Sequence, residues 1–67
     1  MTVASVTELS STSTESFEDA IEKGIERATQ TLSNVKSAWV KEQEARVGED
    51  GKINAYQVNM LVTFVLE

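Results

Sequence analysis

Asn34-Val35-Lys36-Ser37-Ala38-Trp39-Val40-Lys41-Glu42-Gln43 is the stretch whose reading decides the fold. It comes after an amphipathic helical pattern, holds the only tryptophan, and opens a long run with strand character. The residues before it read as a strand and a helix, and those after it read as the return arm of a hairpin. Trp39 is the largest apolar side chain in a sequence otherwise poor in aromatics. Wherever that indole settles, a core, an interface or a ligand site is expected with it.

Upstream, Met1 to Leu9 alternates weakly and carries the β-branched residues Thr2, Val3, Val6 and Thr7, the pattern of a short edge strand. Ser10-Ser11-Thr12-Ser13-Thr14 is expected to be a loop ending in helix-start chemistry. Thr12 with Glu15 has capping-box spacing, and Ser13 or Thr14 is an alternative cap. Glu15, Glu18 and Asp19 then favour the positive end of the helix dipole. From about Thr14 to Ser33, Phe17, Ala20, Ile21, Gly24, Ile25, Ala28 and Leu32 form one apolar stripe, with charged residues mostly opposite. Asp19 and Lys23 make a favourable i,i+4 pair. Gly24 inside the stripe costs about 1 kcal/mol against Ala, and close approach of the helix to a sheet is its expected compensation. Asn34 tolerates the left-handed conformation of a helix end.

Downstream, Lys36 to Val47 reads as a long second strand, Glu49-Asp50-Gly51 as a turn, and Ile53 to Leu66 as a third strand. The third strand alternates cleanly, with Tyr56, Val58, Met60, Val62, Phe64 and Leu66 on one face. The fold class is α+β, in the order β-α-β-β: a three-stranded antiparallel sheet with one helix packed on one face. The other face still presents Leu61 and Val65, which the helix cannot also cover, so another copy of the chain is expected there.

Register decides what shares a face with Trp39. A two-residue turn at Asp50-Gly51 pairs Glu44 with Gln57 and Trp39 with Val62, which puts the indole on the core face. An odd-length loop, or one bulge beside Gly48 or Gly51, places Trp39 near Leu61 and Gln43 near Gln57 instead. Asp-Gly favours the first arrangement locally. The second keeps the core face aliphatic or phenyl, and it is the arrangement expected here.

Composition narrows the function. At 67 residues the chain reads as one domain, residues 1–67, near the lower limit for folding alone. It has no Cys, so neither a disulfide nor a thiolate metal site adds stability, and oligomerisation is the remaining device. A net charge of −5 with scattered Lys and Arg argues against a nucleic-acid partner. No secretory signal pattern opens the sequence, and the longest apolar run is too short to span a bilayer, so a soluble, cytoplasmic protein is expected.

Chemistry-bearing groups are few. There is no His and no activated nucleophile, so no enzyme is expected. Glu42 and Glu44 share a strand face, which an exposed strand explains more simply than acid–base work or a hard-cation site. Gly48-Glu49-Asp50-Gly51 lacks the ligand spacing of a calcium loop, and no phosphate-cradling motif is present. Trp39 and Gln57 stand out. A flat indole and an amide with both donors and acceptors suit a planar ring system; the plainer reading of the spacing is an interface Trp packed against another subunit, with Gln57 solvated.

The chain resembles the dodecins, small bacterial and archaeal flavoproteins. The resemblance is carried by the β-α-β-β order, Ser16-Phe17-Glu18-Asp19-Ala20-Ile21, Ala38-Trp39-Val40-Lys41-Glu42-Gln43, Asp50-Gly51-Lys52-Ile53 and Tyr56-Gln57-Val58. It runs from about Val3 to Leu66. It implies a hollow homododecamer with helices outside, and flavin storage or buffering without turnover, the flavin being FMN, riboflavin or FAD. The ring would stack on Trp39 and bond Gln57, with Ser37 and Gln43 lining the site. One departure stands out: aligned through Glu42-Gln43, the tryptophan of the best-known flavin-binding members falls at Ser37. Two residues along a strand keep the face but move the platform roughly 6.5–7 Å. The alternative is a structural or cation-binding cage in which Trp39 only packs an interface.

Overall fold

The computed structural model describes residues 2–66. Strand β1 (Ala4–Ser13), helix α1 (Phe17–Thr31), strand β2 (Val35–Val47) and strand β3 (Ile53–Val65) come in that order along the chain. All pairings are antiparallel and the sheet order is β1-β3-β2, so the most regularly alternating strand is the central one. Met1, placed at the start of the first expected strand, lies outside the described residues.

The helix buries Ala20, Gly24 and Ala28 against the sheet. Val58, Met60 and Val62 of β3 lie beneath it with no exposed surface, flanked by Leu9, Phe17, Ile21, Ala38 and Val40. Phe17 meets Tyr56 edge to face, ring centroids 5.1 Å apart. Small residues on the helix stripe let its backbone approach closely. A Cβ built on Gly24 would lie 2.6 Å from Met60 Cε and 3.0 Å from Ser11 Cβ, which accounts for a glycine at mid-helix.

The first strand is longer than expected and the helix starts later. Ser10 to Ser13 belong to β1, because β3 offers partners down to Tyr56, opposite Ser13. The N-cap is therefore Ser16, whose hydroxyl accepts from Asp19 N at 2.9 Å, and neither Thr12, Ser13 nor Thr14. Buried Ser13 serves the helix start differently. Its hydroxyl donates to Asp19 Oδ2 at 2.6 Å and accepts from Glu15 N at 2.9 Å. Asn34 takes the left-handed conformation, φ 59°.

The hairpin loop is odd-length. Gly48 N donates to Lys52 O at 2.8 Å, which encloses Glu49, Asp50 and Gly51. Gly51 has φ 79°, the left-handed position that closes a three-residue loop. Trp39 accordingly lies opposite Leu61, as expected. The stretch between does not keep that register. The pairing shifts between Val47 and Arg46, which skip Asn54, and shifts back between Val40 and Glu42, which skip Lys41. From Glu42 to Arg46 the other alignment holds, so Glu44 faces Gln57 and Gln43 faces Val58. The expected neighbourhood of Gln43 and Gln57 is not formed, because two one-residue irregularities on opposite strands cancel only beyond Lys41.

Helix and hairpin also differ in length. Fifteen helical residues span about 22 Å, whereas thirteen in a strand span about 43 Å. The turn end of the hairpin therefore projects beyond the helix, giving a long axis of 52 Å.

Candidate functional site

The sheet face turned away from the helix carries the outward residues of β3: Gln57, Asn59, Leu61, Thr63 and Val65. Opposite residues in an antiparallel pair point to one face. β1 therefore contributes Val6, Glu8, Ser10 and Thr12, and β2 contributes Ser37, Trp39, Glu42 and Glu44. Trp39 is 68% exposed and Val6 56%. No other large hydrophobic side chain among the described residues is as exposed, so the indole is the most prominent apolar feature of the face.

This face has two halves. Towards the chain ends lie Val6, Leu61, Thr63, Ser37 and Trp39. Towards the turn lies a polar row: Arg46 Nη2 donates to Gln57 Oε1, Gln57 Nε2 donates to Asn59 Oδ1 at 3.3 Å, and Asn59 Nδ2 donates to Glu42 Oε1 at 2.9 Å. At the boundary Lys41 Nζ lies 3.5 Å from Glu8 Oε2, across the central strand. The bulge makes this possible, since the extra residue lets Lys41 and Glu42 both reach the same face.

Of the residues singled out from sequence, Trp39, Ser37 and Gln57 share this face. Gln43 does not. It sits opposite Val58, whose side chain is buried on the helix side. Trp39 and Gln57 are also not adjacent, since Leu61 and Gln57 are four residues apart on β3, about 13 Å. Asn59 and Arg46, which complete the polar row, were not singled out from sequence. Their parity on the strands was readable, but the bulge that brings Glu42 opposite Asn59 has no sequence signal as clear as Asp-Gly. Among the described residues no three acidic or other metal-ligating side chains cluster as a cation site.

Asp19, a carboxylate with a perturbed proton affinity, lies on the other side of the molecule. The Ser13 hydroxyl, and then Lys23, whose ammonium is 3.2 Å away, hold it below its ordinary value. This is helix-start chemistry and is remote from the Trp39 face.

The chain thus has the order β-α-β-β, with a helix on one sheet face and an open indole on the other. Residues 3–67 match the family model Dodecin, and the chain belongs to the dodecin family. Solved structures agree. Dodecin from Streptomyces davaonensis is 38% identical with a TM-score of 0.91, over 98% of this chain and 96% of that one. The tt0972 protein from Thermus thermophilus is 39% identical with a TM-score of 0.91, over 100% and 97%. A calcium dodecin from Mycobacterium tuberculosis, named for calcium chelation and a novel calcium-binding site, is 31% identical with a TM-score of 0.83, over 97% and 91%. No curated protein matches the sequence. Among the described residues no helix is long and apolar enough to cross a membrane.

Proposed function

We propose that the protein is a flavin-binding storage or buffering protein that works as a homododecamer and performs no catalytic turnover. The observation that carries the reading is Trp39, an indole 68% exposed on the sheet face the helix leaves uncovered. An aromatic plane open to solvent stacks on a planar heterocycle and gains from desolvation on both sides. The carboxamide of Gln57 on the same face suits the polar edge of a flavin, and Ser37, small and two residues from Trp39, leaves room beside the indole. Membership in the dodecins supports the same ligand class and the assembly. The apolar half of the face, with Val6, Leu61 and Trp39, is the surface that further copies cover.

The calcium dodecin among the structural neighbours supports a second reading, a cation-holding cage. That neighbour alone carries this reading; among the described residues no three His, Cys, Asp or Glu side chains cluster as a cation site.

Titration with riboflavin and FMN, read by Trp39 fluorescence, separates the two. The flavin reading expects saturable quenching and a yellow protein with flavin absorption. Unquenched fluorescence with colourless protein refutes it. Light scattering after size exclusion at micromolar concentration reads the assembly, and a well-folded monomer refutes that part.

A further inference from the structure

The polar row has a direction that only one arrangement satisfies. Arg46 is a donor only and the Glu42 carboxylate an acceptor only, while each amide between them has one donor end and one acceptor end. Glu42 accepts from Asn59 Nδ2, at 2.9 Å, so Asn59 turns its Oδ1 towards Gln57. Gln57 meets that oxygen with Nε2, at 3.3 Å, and therefore turns Oε1 to Arg46, which donates to it. Turning either amide over sets oxygen against oxygen at one end and N–H against N–H at the other. The two charged ends thus fix both amides.

Each NH2 spends one hydrogen in the row and keeps one, and each carbonyl keeps a lone pair. From Gln57 towards Trp39 the free groups are a donor on Gln57 Nε2, an acceptor on Asn59 Oδ1 and a donor on Asn59 Nδ2. Asn59 is one outward step, about 7 Å, from Leu61, the residue opposite Trp39. A tricyclic ring stacked on Trp39 reaches this nearer amide before it reaches Gln57.

We propose that Arg46 and Glu42 are positioning residues that lock Gln57 and Asn59 as a donor–acceptor–donor row, and that this row reads the imide edge (carbonyl, N–H, carbonyl) of a flavin. The inference rests on the flavin reading above and adds Asn59 as a contact residue. It also assigns the selected chemistry, an unsubstituted imide.

The test titrates the full chain with lumiflavin and with 3-methyllumiflavin, whose imide N–H is replaced by a methyl group, using Trp39 fluorescence. Lumiflavin is expected to bind roughly tenfold tighter in the wild type, for the loss of one satisfied polar contact. Exchanging the charges, Arg46→Glu with Glu42→Arg, keeps the row satisfied but turns both amides over. That variant is expected to stay folded by circular dichroism and to lose the preference, with lumiflavin affinity falling roughly ten- to a hundredfold. In ligand-free protein, Arg46→Ala is expected to shift the side-chain amide resonances of both Gln57 and Asn59. A merely structural Arg46 would lower stability and leave the ligand ratio alone. Equal binding of the two rings by wild type, an unchanged preference in the exchange variant, or unmoved amide resonances in Arg46→Ala each overturn this inference and leave the flavin reading standing. Wild type that binds neither ring overturns both.

Discussion

Lys41 of β2 reaches Glu8 of β1 across the full width of the central strand, ammonium to carboxylate at 3.5 Å. Both side chains are about half exposed, so the pair contributes little to stability, at most about 1 kcal/mol. Its meaning is geometric. Glu8 lies opposite Leu61 from one side and Trp39 lies opposite Leu61 from the other. Lys41 is the residue that the β2–β3 ladder skips. The ion pair therefore marks where the apolar half of the open face, with the indole, meets the polar half, with its amides.

Trp39→Ala is expected to separate binding from folding. In one copy the indole touches little, so secondary structure is expected to persist by circular dichroism. Flavin affinity is expected to fall by about 1–3 kcal/mol, the worth of a base–aromatic stack removed by alanine substitution. Flavin absorption of the purified protein and equilibrium dialysis measure the loss. Undiminished affinity in Trp39→Ala would move the stacking platform elsewhere.

Gly24 tests how tightly helix and sheet are pressed together. Alanine at mid-helix gains about 1 kcal/mol in propensity. Here the new methyl group would lie 2.6 Å from Met60 Cε and 3.0 Å from Ser11 Cβ. Met60 Cε is the end of a flexible side chain and can shift within the core, but Ser11 Cβ is fixed to the β1 backbone, and overpacking costs about 1–3 kcal/mol. Gly24→Ala is thus expected to be destabilising by about 1 kcal/mol net, and Gly24→Val by more. Denaturant midpoints decide it, and a Gly24→Ala protein more stable than wild type would show that the helix can lift.

Asp19 gives the acid limb of the stability profile a defined contributor. The Ser13 hydroxyl and Lys23 favour its ionised form in the folded state, so its proton affinity is below the ordinary value of 3.8. A depressed value means the stabilisation is fully present above the unfolded-state value. It is lost as pH falls through 3.8 towards the folded-state value. Asp19→Asn is expected to flatten that part of the profile. Thermal midpoints of both proteins between about pH 6 and about pH 2.5 measure the difference. Parallel curves would mean that the Ser13 contact does not persist in solution.

The order of elements, the helix stripe and the face of β3 were legible because each depends on periodicity within one segment. Gly24 was legible as a close approach for the same reason. The end of β1 was not, since Ser10 to Ser13 have loop composition and become a strand only because β3 supplies partners for them. The face of Trp39 came with an odd-length loop, but Gln43 did not come with it. The skipped residues Asn54 and Lys41 are paired or unpaired by contacts between strands, and neither carries the conformational signature that Gly51 does. Asn59 and Arg46 were missed for that reason: their significance lies in a cross-strand register.

That register yields a sharp test, deletion of Lys41. A deletion within an ordinary ladder turns every residue on one side of it to the opposite face. Trp39 would then point beneath α1, and Ala38 and Val40 would point away from the core they now join. A chain so altered would not fold. If Lys41 is the surplus residue of a bulge, removing it joins Glu42 directly to Val40. Glu42 keeps Asn59, Val40 keeps Met60 and Trp39 keeps Leu61, the partners they have now. The shortened chain is then expected to fold with stability within about 1 kcal/mol of wild type, having lost an exposed ion pair and a local twist. Trp39 is expected to stay on the open face, read as acrylamide quenching of its fluorescence that matches wild type in the same state of assembly. An unfolded product, or an indole newly shielded from acrylamide, would show that Lys41 belongs to the ladder and that the two halves of the face are joined differently.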